Sequence, residues 1–195
     1  MKKNENIIQP IPDEDNLYYY KMTLKIGNWR KHFDLNYVNT IIAMALHFFT
    51  KKDQILFNGF LITSQNVYLM IQTKEETIES VVSKIELRII YLLKNNPKKL
   101  KVNRNEISFI ADDESFFYET QKPLFKIHPL RNKHLEKLIT GEKVELPYFD
   151  RTLQNLKATI HNHPYCSAIS YLGGISTVKV TEFQKADKDK PDRDR

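Results

Sequence analysis

Two apolar runs around a short polar turn constrain this chain more than any other stretch: Gly59-Phe60-Leu61-Ile62, then Thr63-Ser64-Gln65-Asn66, then Val67-Tyr68-Leu69-Met70-Ile71. Residues two apart in a strand share a face. Val67, Leu69 and Ile71 therefore point one way, towards covering helices, and Asn66, Tyr68 and Met70 point the other. The second set begins with two polar groups side by side, on what is expected to be the open face of a sheet. A hairpin with one apolar face is not stable alone and needs more strands and helices to cover it.

The flanking sequence supplies them. Residues 17–26 are rich in strand formers, with alternation across Tyr20, Met22, Leu24 and Ile26, and predict a first strand ended by Gly27-Asn28. Asp34 can cap a helix over 35–50, whose Val38, Ile41, Ile42, Ala45, Phe48 and Phe49 keep helical spacing. Strands over 55–62 and 67–71 make the hairpin. Thr73-Lys74-Glu75-Glu76 fits a capping box ahead of a helix carrying Ile78, Val82, Ile85, Ile89 and Leu92, stopped by Asn95-Asn96-Pro97. A strand over 106–111 completes the order strand, helix, strand, strand, helix, strand. That order predicts an α+β, ferredoxin-like βαββαβ antiparallel sheet with two helices on one face and the other face free, followed by a C-terminal helical extension.

Past residue 111 the pattern weakens. Residues 116–118 and 124–127 read as short extended pieces, 132–140 as a short helix ended by Gly141, and 150–160 as another helix. Residues 1–16 read as a flexible arm. One domain is expected over 17–174, with its core at 17–111, and 175–195 form a tail, disordered from about 185 because it mixes both charge signs with almost no apolar residues.

An apolar content of 41% and an aromatic content of 11% over 195 residues place the chain among globular proteins. A net charge of +6 favours an acidic partner such as nucleic acid, although basic proteins without one are common. The single cysteine, Cys166, excludes an internal disulfide and a cysteine-based zinc site. The N-terminal stretch has no apolar core of the kind a signal peptide needs, and no run approaches the roughly 18–20 apolar residues of a membrane span, so a cytoplasmic protein without membrane contact is expected.

Residues 17–174 resemble the HUH-type single-tyrosine transposases, the REP-associated group above all. The family's first strand reads roughly Tyr-His-Val-Thr, which Tyr20-Lys21-Met22-Thr23 resembles. Its hairpin carries Met-Pro-Asn-His-apolar-His-Leu-Leu, and Thr63-Ser64-Gln65-Asn66-Val67-Tyr68-Leu69-Met70 occupies the same place. Its Trp-Pro-Tyr-Ser-Ser segment and trailing Tyr-Leu-Gly are similar to His163-Pro164-Tyr165-Cys166-Ser167-Ala168 and Tyr171-Leu172-Gly173-Gly174. The resemblance implies single-stranded or hairpin DNA as substrate. It also implies a divalent metal, held by two histidines and a further polar ligand, that polarises the scissile phosphate. A tyrosine on a later helix would then attack and become joined to the DNA 5′ end. Here Asn66 and Tyr68 stand at the histidine positions, and Thr159 stands where one register places the tyrosine. A second register, over 135–141, holds no tyrosine. An asparagine offers a neutral carbonyl oxygen and a phenol is a poor ligand for magnesium, so no cofactor is expected and the metal is expected to be lost.

The rest of the sequence offers weaker chemistry. His161-Asn162-His163 has a spacing used by metal sites, but a proline follows and two loop histidines are the simpler reading. Tyr18, Tyr19, Tyr20, Tyr148, Tyr165 and Tyr171 read as packing residues before nucleophiles, and His47 and His128 as structural. Cys166 has no evident histidine–acid arrangement, and Asp112-Asp113-Glu114 reads as a turn. Candidate nucleic-acid contacts are Lys21 and Lys25 on the first strand, Trp29, Arg30 and Lys31 after it, and Lys98, Lys99, Lys101 and Arg104 in a basic stretch. The expectation is a catalytically inactive relative of the transposases that binds structured single-stranded DNA or RNA, as monomer or homodimer. An active nuclease with an unrecognised site and a protein-interaction module derived from the fold are the alternatives.

Overall fold

The computed structural model describes residues 17–52, 55–95, 123–161 and 163–182. The arm at 1–16, the basic stretch at 98–104, the strand expected over 106–111, the extended piece at 116–118 and the tail from 185 lie outside them. In β1 (Tyr18–Ile26) the alternation holds, with Tyr20, Met22, Leu24 and Ile26 buried. A 3-10 turn (Asn28–His32) leads to α1 (Leu35–Lys51), where the Asp34 carboxylate accepts the Asn36 N–H at 2.9 Å and caps the helix as predicted. The hairpin is β2 (Ile55–Ile62) and β3 (Asn66–Thr73). Its turn is closed from within: the Thr63 N–H donates to the Asn66 carbonyl at 2.8 Å, and the Asn66 N–H to Thr63 Oγ1 at 3.1 Å.

The second helix, α2 (Ile78–Asn95), starts later than its capping box implied. Thr73 Oγ1 accepts the Glu75 N–H at 3.3 Å, while Thr77 Oγ1 accepts the Ser80 N–H at 3.3 Å and caps the helix. Glu75 instead binds the Ser80 hydroxyl at 2.6 Å and the Lys84 ammonium.

The described strand beside β1 on its outer side is β4 (Phe125–Pro129), so the sheet extends beyond residue 111. Its amide at Phe125 is anchored to Glu86 Oε1 of α2 at 2.9 Å. The strand order β2-β3-β1-β4 with every neighbouring pair antiparallel is the ferredoxin-like arrangement, and both long helices pack on one face. A register shift between Phe57 and Gly59 brings both Phe57 and Phe60 to the helix side and turns Leu61 to the other. Among the described residues no helix is long and apolar enough to cross a membrane.

The opposite face is not free, contrary to expectation. α3 (Lys133–Ile139), α4 (Arg151–Ile160) and α5 (Ala168–Tyr171), with the segment before α5, build a second apolar layer on it. Leu61, Met70, Leu135, Ile139, Ile160 and Cys166 are all buried there. Gly59 makes this possible, because a Cβ at that position would lie only 3.3 Å from both the Ile139 side chain and the Met70 sulfur. The same region protects the edge of β2, a row of backbone groups that would otherwise recruit another strand. Tyr165 O accepts the Ile62 N–H at 3.0 Å, the Ser167 N–H donates to Phe60 O at 2.9 Å, and Ser167 Oγ accepts the Phe60 N–H at 2.8 Å. Part of the expected tail belongs to the body too, since Val178 is fully buried and the Thr181 N–H donates to Phe57 O at 2.8 Å.

Candidate nucleic-acid interface

Among the described residues the second layer covers only one end of the sheet face. It takes in Lys21, whose ammonium reaches Glu136 Oε2 of α3 at 2.6 Å, Met70, the cross-strand partner of Lys21, and Leu61, the partner of Tyr68, so that Tyr68 packs against its margin. From that margin outward two rows of side chains run across the strands. One row joins Tyr68, Thr23 and His128; the next joins Asn66, Lys25 and Lys126. With strands about 4.8 Å apart, each row of three spans about 10 Å. Lys25, Lys126 and His128 are exposed, and Thr23, Asn66 and Tyr68 are half-buried. Lys25 and Lys126 are directly opposite each other, an arrangement that destabilises a sheet unless something negative sits over it.

Asn66 and Tyr68 share the face as the strand parity required, and the Asn66 side-chain amide donates to the Tyr68 hydroxyl at 3.2 Å. A neutral amide oxygen and a phenol, flanked by two ammonium groups, do not suit a divalent cation, which takes anionic oxygens or imidazoles. The donor set does not fit the metal of the resembled family. Thr159 does not replace its tyrosine: it lies exposed on α4 with its hydroxyl donating to Asn155 O at 2.8 Å, a helix back-bond. Most of the other candidate tyrosines are engaged. The Tyr20 hydroxyl donates to Glu75 O at 3.0 Å, Tyr171 to Asn58 O at 2.6 Å, and Tyr165 shares a hydrogen bond with Thr40 at 2.9 Å. Burial, with the Glu136 carboxylate nearby, holds the Tyr19 phenol well above the usual range, opposite to what a nucleophile needs.

The His161/His163 pair behaves as loop residues. His163 Nδ1 accepts the Tyr165 N–H at 3.3 Å, and burial lowers its pKa. Burial also pushes the Cys166 thiol up to about 11, so it is no ready nucleophile.

Of the nucleic-acid candidates, the structure buries Trp29 and places Lys21 in an ion pair. Trp29 is only 1% exposed, lies edge-on to Phe33 and Phe125, and donates its indole N–H to Leu124 O at 3.0 Å, so no base can stack on it. Lys21 is neutralised by Glu136. Lys25 stands on the uncovered rows. Arg30 and Lys31 line a hollow of about 290 Å³ at the same end of the sheet, and the Arg30 guanidinium donates to Ser64 O in the hairpin turn. Lys98, Lys99, Lys101 and Arg104 lie outside the described residues.

Lys126 and His128 are the members of the face that the sequence reading missed. Their signal was the alternation Phe125-Lys126-Ile127-His128, which read as a short extended piece and not as a strand of the main sheet. No family model, curated protein or solved structure matches this chain.

Proposed function

We propose that the chain is a transposase-like DNA-binding protein of the HUH single-tyrosine type that has lost strand cleavage and holds single-stranded or hairpin DNA on the uncovered end of its sheet. The observation that carries this reading is the exposed cross-strand pair Lys25–Lys126 beside Asn66 and Tyr68. Two like charges held opposite each other are relieved by a phosphate backbone, and Tyr68, half-buried at the margin of the second layer, offers the open part of its ring to an unstacked base. Cleavage would need a metal or a base and a nucleophile, and the positions that would supply them hold an amide, a hydrogen-bonded phenol and a threonine engaged with its own helix.

The test is a titration of labelled hairpin, unstructured DNA and RNA at about 50 mM salt, together with incubation of the hairpin with magnesium or manganese. Binding tighter than the ~10⁻⁴ M limit of nonspecific association, without a covalent adduct, is expected. Weaker binding for every ligand overturns the binding role. An adduct that a chelator abolishes overturns the loss of chemistry.

A further inference from the structure

A second surface lies on the other side of the molecule, where the outward faces of α1 and α2 stand side by side. Met44 on α1 and Leu87 and Tyr91 on α2 are 47%, 56% and 54% exposed. One exposed apolar residue means little; these three stand on the two adjoining helices that also hold an unusual charge. The guanidinium carbon of Arg88 sits 3.9 Å from the centre of the Phe48 ring and 4.8 Å from that of Tyr91. Lys52 Nζ lies 4.8 Å from the same Phe48 ring. Arg88 Nε is buried and has no hydrogen-bond partner, and among the described residues no carboxylate pairs with Arg88, Lys51 or Lys52. The α1 sequence contains no acidic residue at all.

A guanidinium held between two rings has already given up side-chain freedom while keeping N–H groups for a planar, bidentate acceptor. We propose that this face docks an acidic amphipathic protein segment, with a carboxylate on Arg88 and Lys52 and apolar side chains on Met44, Leu87 and Tyr91. Charge complementarity selects that occupant. A second copy of this chain would bring the same cations against themselves, which disfavours self-association through this face. A nucleic-acid strand would match the cations but would leave the aliphatic side chains of Met44 and Leu87 without apolar partners.

The experiment is a selection from a display library of helical peptides against the whole protein, followed by fluorescence anisotropy with the enriched peptides. Glu or Asp combined with Leu or Phe at i, i+3 and i+4 spacing is the expected consensus. Affinity should fall by about tenfold or more in Arg88→Gln, the scale of one desolvated charge pair. Lys51→Gln with Lys52→Gln, both exposed and away from the core, should weaken binding in the same direction with only a small fall in melting temperature, from the lost contact of Lys52 with Phe48. Lys25→Gln with Lys126→Gln should leave peptide affinity as it was. Failure to enrich, a neutral or basic consensus, or affinity indifferent to all these helix variants would overturn the proposal. Loss of hairpin DNA binding in the Lys51/Lys52 variant would also overturn it, by assigning the face to nucleic acid.

Discussion

Lys25 and Lys126 allow the binding proposal to be tested through its electrostatics, because each carries one charge that a phosphate could meet. Each is an exposed ammonium on the uncovered rows, so each is assigned one phosphate. On a single strand, log affinity falls against log salt with a slope of about −0.7 per neutralised phosphate, so the pair accounts for about −1.4. Between about 50 and 200 mM salt that share amounts to roughly sevenfold in affinity. Lys25→Gln with Lys126→Gln should therefore flatten the slope by about 1.4, read by fluorescence anisotropy with a labelled unstructured strand. The same variant should not be less stable: removing like charges that face each other across two strands should give back about 0.2–1 kcal/mol. The control is Lys21→Gln with Glu136→Gln, which removes a pair already neutral at 2.6 Å and should leave the slope unchanged. A flattening smaller than that of one phosphate, about 0.7, would refute the reasoning, as would an equal effect in the control.

Leu69→Ala, at a fully buried position under the two long helices, should cost about 2–5 kcal/mol in denaturant unfolding. Tyr68→Ala, on the half-covered face, should cost clearly less, and a reversed order would place the strand one residue out of register. Trp29→Ala should behave as a core deletion of about 3–5 kcal/mol and leave the salt slope of binding intact. The Cys166 thiol has its folded pKa raised from 9.0 to about 11, so its contribution to stability is complete below pH 9 and lost as the pH rises through 11. Denaturation of the protein and of Cys166→Ala across that window should show the difference between them shrinking with pH, and a constant difference would contradict the burial argument.

What was legible in the sequence is what local periodicity encodes. The strand parity of Val67, Leu69 and Ile71 against Asn66 and Tyr68, the Asp34 cap and the span of β2 all rest on residues a few positions apart. What was missed depends on partners far along the chain. The helices expected over 132–140 and 150–160 needed an apolar surface to rest on, and nothing local said which. The answer was Leu61 and Met70 on the second sheet face, visible only once Gly59 is understood as a gap for Ile139. Trp29 beside Arg30 and Lys31 resembled a stacking residue, yet its indole is fixed by a carbonyl 95 residues later. β4 was obscured because five residues of alternation are weak evidence, and residues 106–111 were expected to supply the fourth strand.

The partial cover on the sheet also limits how strongly this face can hold a nucleic acid. Once α3 is tied down through Glu136, two rows remain, and they contribute Lys25 and Lys126. Arg30 and Lys31 add two further cations at the same end; the Arg30 contact to Ser64 O uses a neutral acceptor and leaves its charge available. Four cations set a total slope of about −2.8 for a single strand. If only these residues act, the measured slope should approach that value, and Lys98→Ala with Lys99→Ala should leave it unchanged. A steeper slope would show that the 98–104 stretch supplies the remainder, and the same double substitution should then flatten it by about 1.4. A slope shallower than about −1.4 would mean that not even both sheet lysines meet phosphates, and the uncovered end of the sheet would cease to be the binding face.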